Sequence, residues 1–449
     1  MSMRFIADLH IHSKYSRATS KDMNLEEIDR VADEKGILVM GTGDFTHPKW
    51  LEEIKEKLEP AEPGLFKLKS DYKKPTIKGN FSETRFILSV EISSIYTRAG
   101  KVRRIHNLVF MPSIEAAENL RNKLIMLGCN LNSDGRPIIG LDSEKLAEIV
   151  FNVDENAAII PAHAWTPWFS IFGSMSGFDS IEECFGKYAD KIFAIETGLS
   201  SDPEMNWRLS KLDKIALISN SDSHSFQKIG REANIFDTEL SYNGIMEAIH
   251  SGSPEFRKNL QTYELKNLKT NFVATIEFFP EEGKYHYDGH RDCEIVLSPE
   301  ETEKYKNICP KCGRPLTIGV LNRVQKLADR KINFQSKGNY RFLDNRAPYY
   351  NLVQLDGIIA EAFGVGAVSK KVKTEYDKLI KAFDSELKIL MDVSLNDLKS
   401  AADPRVVEGI KRVREGNLKI RPGYDGEYGV IKIFSDEEQK ESEIQKALF

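Results

Sequence analysis

The chain has 449 residues and a mass of 51.0 kDa, room for two or three domains, and its 41% hydrophobic and 29% charged content excludes a wholly disordered protein. Its 63 basic and 68 acidic residues leave a net charge of -5, so any nucleic-acid surface must be local. With no membrane-length apolar run, no secretory pattern in MSMRFIADLH and five cysteines that include one CxxC, the expectation is a cytoplasmic protein with no membrane partner.

Seven short apolar runs punctuate the first 240 residues: Phe5 to Leu9, Ile37 to Met40, Phe86 to Val90, Leu108 to Phe110, Ala157 to Ile160, Ile192 to Ile195 and Ile215 to Ile218. Helix-period segments lie between several of them. Leu25, Ile28 and Val31 share one helical face that Gly36 ends, and Ser113 caps a helix running toward Gly128. Alternating strands and helices predict an α/β fold with a mostly parallel sheet. Each run delivers a polar residue to one end, which favours a seven-stranded barrel. After Pro254 the composition changes. A Cys/His cluster occupies 275–317, and the chain from Val320 is charged and largely helical. These shifts divide the chain into 1–265, 266–330 and 331–449.

His10 and His12 close the first run in ADLHIHSKYS; two residues apart on a strand, their side chains leave the same face. Asp44 and His47 follow the second run, Glu91 closes the third and His106 precedes the fourth. His163 ends the fifth, Glu196 the sixth, and Asp222 and His224 the seventh. Six of the nine histidines fall in this series, and residues at barrel strand ends converge on one mouth. Imidazole and carboxylate without thiolate suit zinc, manganese or iron. So many ligands imply more than one ion, with Glu91 or Asp222 able to bridge. Such a cluster acidifies bound water and clamps phosphoryl oxygens, which points to phosphate-ester hydrolysis.

HIHSKYS, the strand-end acids and histidines, and the late DSH resemble the PHP domain of polymerase-associated and histidinol-phosphatase-type phosphoesterases. That resemblance implies a distorted seven-stranded β/α barrel with two or three divalent ions, zinc, manganese or magnesium. Carried over, His10, His12, Glu91 and Asp222 would hold one ion, Glu91, His106 and His163 a second, and His224 a third, with Asp222, Glu91 and His163 central to catalysis and Glu196 supporting them from behind. Two departures stand out. Ser13, Lys14 and Tyr15 follow HxH where the family has a histidine, and Asp44-Phe45 replaces its Asp-His pair, leaving Asp44 or His47 to supply what is missing.

Beyond the barrel, GHRDC and ICPKCG place His290, Cys293, Cys309 and Cys312 as two pairs. CPKCG is a zinc-knuckle signature, and four filled ligands make its ion structural. His286 competes with His290 for the fourth position. Cys129 and Cys184 read as ordinary buried thiols.

Three features can meet nucleic acid. Residues 67–104 hold ten basic against three acidic side chains, including Lys73, Lys74, Lys78, Arg98, Lys101, Arg103 and Arg104. The alternative is a solvated insertion. WTPWFSIFGSMSGF, with Trp165 and Trp168, offers either a stacking surface for bases or a loop packed on the next domain. IIAEAFGVGAVSKKV resembles a helix-hairpin-helix, with Gly364 and Gly366 in the turn and Lys370 just beyond. Asn345 and Pro348-Tyr349-Tyr350-Asn351 are candidates for a base pocket.

PHP barrel, CPKCG followed by PLTIGVLNRVQKLADR, and PGYDGEYGVIKIF together resemble the endonuclease Q family across nearly the whole chain. The resemblance implies a DNA repair enzyme with a zinc-binding domain and a helical C-terminal domain. Its activity would be nicking double-stranded DNA 5′ of hypoxanthine, uracil or xanthine and at abasic sites, by attack of a metal-bound hydroxide. A sliding clamp stands as a candidate partner. The competing readings are a small-molecule phosphatase and a binding module with a non-catalytic barrel.

Overall fold

The computed structural model describes residues 2–258 and 271–439. All seven apolar runs are strands: Ser2–Asp8, Val39–Gly41, Arg85–Arg98, Lys101–Met111, Ala158–Pro161, Ala194–Glu196 and Ala216–Ile218. They form a ring. The first pairs parallel with the second and the second with the third. The third, fourth and fifth pair antiparallel, and the sixth and seventh parallel. Local contacts just beyond the strands close the two gaps: the Ala164 N–H donates to the Glu196 carbonyl at 2.9 Å, and Ile11 bridges Ser223.

The expectation of a mostly parallel sheet fails at Lys101–Met111. Ala99 and Gly100 both have positive φ, 52° and 72°, the backbone of a two-residue hairpin turn. That turn folds Arg85–Arg98 straight back, so Glu91 and His106 lie within a long hairpin and not at strand ends. Small and branched residues such as Ala7, Leu9, Ile160, Ala194 and Ile218 fill the barrel interior. Around it, helix Leu25–Lys35 buries Leu25, Ile28 and Val31; the Asn24 side chain caps its start and Gly36, at φ 87°, ends it. Ser113 caps helix Ile114–Met126 by accepting from Ala116 N.

The boundary expected at 265 lies outside the described residues. Just after it, strand Asn271–Glu277 pairs antiparallel with Ala233–Glu239, which itself pairs with Ser2–Asp8. Tyr349–Asn351 then adds parallel to Asn271–Glu277, so the barrel's sheet runs across the expected boundary near 330. One continuous core holds Ile235, Tyr349, Leu355 and Val406.

The C-terminal helices, from Leu355–Phe363 to Pro404–Glu415, rest on the first barrel helix. Lys35 Nζ lies 2.6 Å from Glu386 Oε2, and the Tyr376 hydroxyl donates to the same oxygen at 2.8 Å. Both charges are buried, so the partner and the extra hydrogen bond are what offset their desolvation. Among the described residues no helix is long and apolar enough to cross a membrane.

Candidate metal centre

His10, His12, Glu91 and Asp222 direct one donor atom each to a common point, and Glu91, His106 and His163 to a second. Within each group the donor atoms lie within 4.8 Å of one another. Glu91 belongs to both, the position of a bridging carboxylate. His12 Nε2 is 3.2 Å from Glu91 Oε2 and 3.1 Å from Asp222 Oδ1, while Glu91 Oε1 is 2.5 Å from His106 Nδ1 and 2.9 Å from His163 Nε2. His10 Nε2, His12 Nε2 and Asp222 Oδ1 are buried and make no hydrogen bond. Buried polar atoms left unpaired are costly, and three that converge are what a cation's ligand set requires. The residues therefore fit divalent ions, with mixed imidazole and carboxylate donors.

His10 and His12 are aimed from behind. His10 Nδ1 lies 3.0 Å from Glu196 Oε1 and His12 Nδ1 3.1 Å from Asp44 Oδ1, which turns both Nε2 atoms toward the cluster. Glu196 is itself held, accepting from the His163 N–H at 2.8 Å and from Asn220 Nδ2 at 2.9 Å. Asp44 accepts the Ser13 N–H and hydroxyl on its other oxygen, both at 2.7 Å. Asp44 thus orients a donor instead of being one. His47 stacks on Tyr15 with ring centroids 4.5 Å apart, outside either group. His224 lies against the His12 ring at 4.4 Å, with Nδ1 2.9 Å from the Asp222 carbonyl, and also stands apart from the two groups.

Asp44, His163 and Asp222 have φ of 50°, 30° and 46°. Such left-handed backbone costs on the order of 1–3 kcal/mol per residue and persists only where surroundings enforce it. Gly198 is part of that enforcement, since a Cβ there would sit 2.5 Å from His163 Cβ.

Burial opposes every charge in the cluster, yet opposite charges override it at most positions. His10 is held well above the ordinary imidazole range by Glu196 and Asp222, and His12 by Asp44, Asp222 and Glu91. Glu91 is held well below the carboxylate range by His106 and Arg136, and Asp222 is lowered by His10 and His12. Only His106 yields to burial, falling to about 4. The protons so favoured on His10 and His12 mark where positive charge is wanted.

Arg136 is a site residue that the sequence did not single out. Its Nη1 lies 3.1 Å from Glu91 Oε2, and its only local signal is the turn DGRP. It lines a cavity of about 430 Å³ together with His106, His163, Asp222, Trp168 and Phe169. A second cavity of about 900 Å³ shares Thr166, Trp168 and Phe169 and adds Arg104, Tyr285 and Tyr428.

The candidate DNA contacts separate into two sets. Lys74 pairs with Glu27 at 2.8 Å, Lys78 with Asp33 at 2.7 Å and Asp384 at 2.8 Å, and Arg98 with Glu144 at 2.7 Å. Lys73 donates to the Ser82 carbonyl. The sequence surplus there is neutralised in space by acids from other segments. On the hairpin, Lys101 is exposed, Arg103 lies over the Phe178 ring at 4.0 Å and Arg104 over Phe169 at 5.6 Å. Trp165 is fully buried and its indole N–H donates to Asn206 at 2.7 Å, so it is core. Trp168 lines both cavities and meets Tyr285 edge to face at 5.7 Å. Of the two alternatives for the aromatic loop, packing on the next segment is visible: Arg323, from helix Val320–Leu327, donates to the Phe172 and Phe178 carbonyls at 2.9 Å. Gly364 ends helix Leu355–Phe363 in left-handed backbone, Gly366 is exposed, and Lys370 opens helix Lys370–Phe383 behind a Ser369 cap. Tyr349 and Asn351 are buried in the sheet and border neither cavity near the metal cluster, and Asn345 sits in a left-handed loop.

His290, Cys293, Cys309 and Cys312 form the third donor group, again within 4.8 Å. His290 ends the short strand Asp288–His290 and Cys293 ends the turn Arg291–Cys293 that follows it, and Gly313, at φ 73°, turns the chain after the second pair. His286 is buried against Tyr287 and outside the group. Cys184 is buried and Cys129 partly so.

Residues 354–417 match the MJ0043 C-terminal domain family. The uncharacterized protein MJ0043 of Methanocaldococcus jannaschii is 32% identical over 306 residues, which span 66% of this chain but 36% of that protein. Two solved structures match over nearly the full length, each with a TM-score of 0.78. The lesion-specific endonuclease PfuEndoQ from Pyrococcus furiosus is 29% identical over 98% of this chain and 99% of its own. An endonuclease Q complex with a 27-mer duplex bearing an abasic lesion at the active site is 30% identical over 98% of both chains. A match spanning barrel, knuckle and C-terminal helices together leaves one assignment: the chain belongs to the endonuclease Q family.

Proposed function

We propose that the chain is a metal-dependent DNA repair endonuclease that hydrolyses the phosphodiester 5′ of deaminated bases (hypoxanthine, uracil, xanthine) and at abasic sites. Water adds to phosphorus and the bond to the 3′ oxygen breaks, leaving 3′-hydroxyl and 5′-phosphate ends. The observation that carries this reading is the junction of the donor cluster with the aromatic cavity through Thr166, Trp168 and Phe169. A nucleotide lifted from the duplex can stack its base against Trp168 and Tyr285 while its phosphate lies over the donors. Extrusion costs least where pairing is already weakened. A solved relative holds a duplex with an abasic lesion at its active site, which supports lesion DNA as the substrate class.

His10, His12, Glu91 and Asp222 would hold one ion, and Glu91, His106 and His163 a second. Such ions supply water acidified toward neutral pH and a clamp on phosphoryl oxygens. His290, Cys293, Cys309 and Cys312 would hold a structural zinc. Lys101, Arg103, Arg104 and the Gly364 to Lys370 turn are the phosphate contacts we assign, so that barrel, knuckle and helical segment grip one duplex.

The test offers the full chain, with manganese or magnesium, duplexes carrying one deoxyinosine, deoxyuridine or abasic site. A matched undamaged duplex and a sugar phosphate serve as competitors. Nicking confined to the lesion strand, 5′ of the lesion, is the expected result. Equal cutting of undamaged duplex, or faster hydrolysis of the sugar phosphate, would overturn it.

A further inference from the structure

We infer that Arg136 is a catalytic residue whose guanidinium binds a non-bridging oxygen of the phosphate under attack. The inference rests on the hydrolytic reading of this site. Its basis is an imbalance around Glu91. Arg136 has five N–H donors, and among the described residues one of them is engaged, Nη1 with Glu91 Oε2 at 3.1 Å. That same oxygen faces His10 and His12, and Glu91 Oε1 faces His106 and His163. Glu91 is thus shared between two donor groups that each call for a cation, and it cannot also satisfy a guanidinium. The remaining donors border the cavity that holds Asp222, His106 and His163. The anion that enters there during the reaction is the substrate phosphate, which a planar guanidinium recognises well.

The backbone beneath Arg136 is built to hold it. Its N–H donates to Asp134 Oδ1 at 3.2 Å, and Asp134 also takes the Arg17 N–H at 3.2 Å. Gly135 N–H donates to the Tyr15 carbonyl at 3.0 Å, and the Pro137 carbonyl accepts from Ser93 at 3.0 Å, two residues beyond Glu91. Ile138–Ile139 then pairs with Ser93 and Ser94. At Gly135 a Cβ would lie 2.3 Å from Asp44 Oδ2, so this loop sits directly on the carboxylate that aims His12. Arg136 and the donor cluster are therefore fixed in one frame. Pre-set positive charge at a developing oxyanion needs no reorganisation during the reaction.

The experiment compares wild type, Arg136→Ala and Arg136→Lys as full-length, manganese-loaded protein. Substrates are the abasic duplex and bis(4-nitrophenyl) phosphate. Readouts are kcat, KM, bound metal by elemental analysis, thermal melting, and rescue by added guanidinium chloride. Arg136→Ala should lower kcat by about 100- to 1000-fold on both substrates, the range for losing one transition-state donor. Bound metal should stay at the wild-type level, and guanidinium should restore part of the rate. Arg136→Lys keeps the charge and should retain an intermediate rate, which preserves the test should the alanine variant melt early. An unchanged kcat, or metal lost in step with activity, would overturn the role. If wild type lacks lesion preference, the proposed function fails while the simple diester still decides on Arg136.

Discussion

The barrel donors are drawn from positions 10, 12, 91, 106, 163 and 222, whereas the knuckle donors all lie between 290 and 312. In the barrel every donor but Asp222 is buried, and carboxylates from other segments orient His10 and His12. In the knuckle, Cys312 is exposed and the local core is Leu297, Cys309 and Leu316. The first geometry is enforced by a whole sheet. The second has little to fold around except its ion. The difference separates a site whose shape is set by the fold from one whose shape would depend on the ion it holds.

The largest effect should come from the barrel. Asp222→Asn removes a donor charge while keeping shape, and nicking should fall by more than about 100-fold with DNA affinity nearly intact. Asp44→Asn, at a carboxylate that pairs with His12 and Ser13, should cost about 10- to 100-fold, the range for orienting partners. Equal losses in the two variants would erase the distinction between donor and support. Single-turnover nicking and a binding isotherm read both.

The knuckle should behave in the opposite way. Cys309→Ser with Cys312→Ser should release about one zinc per chain and loosen local structure, with bis(4-nitrophenyl) phosphate hydrolysis by the barrel retained. Lesion nicking should fall because the duplex is held less well. Elemental analysis decides: unchanged zinc would mean that these thiolates hold none.

The smallest effect sharpens what a sheet-enforced region tolerates without an ion. Asp29, on the first barrel helix, is fully buried with both oxygens unpaired, and burial pushes its carboxyl up to about 7. Its neutral form is the one the fold prefers. Stability should therefore be full below the unfolded value of 3.8 and decline as pH rises from there through about 7. Asp29→Asn should raise the melting temperature relative to wild type by about 2 °C more at pH 8 than at pH 4. The same gain at both pH values would remove the titration from the explanation.

Much of the site was legible because metal ligands are scarce residue types tied to strand positions. His10, His12, Glu91, His106, His163 and Asp222 could be found by tracking histidines and acids along the apolar runs. Asp44 was found as well, but not its task, because sequence does not tell a donor from the residue behind it. Arg136 gave no signal beyond the turn DGRP: it sits in an irregular segment whose contacts include residues 15, 44 and 93. Local charge counting failed for Lys74, Lys78 and Arg98, whose acidic partners lie 45 to 306 residues away in sequence. The reversed strand was missed since Ala99-Gly100 is a turn that alanine rarely makes.

The pairing of Ser2–Asp8 with Ala233–Glu239 also bears on how the chain is made. Ser2–Asp8 waits for a neighbour made more than 220 residues after it; at about 5–20 residues per second that is roughly ten seconds to most of a minute. The Leu9 N–H meets Asn220 across a separation of 211 residues, so the histidine pair beside it is aimed only near the end of barrel synthesis. Asn271–Glu277 waits in turn for Tyr349–Asn351. Until then an apolar strand edge stands open, able to pair with another nascent chain. A strand made well before its partner is thus completed long after its own synthesis, and the yield of the chain in a cell depends on what shields that edge meanwhile.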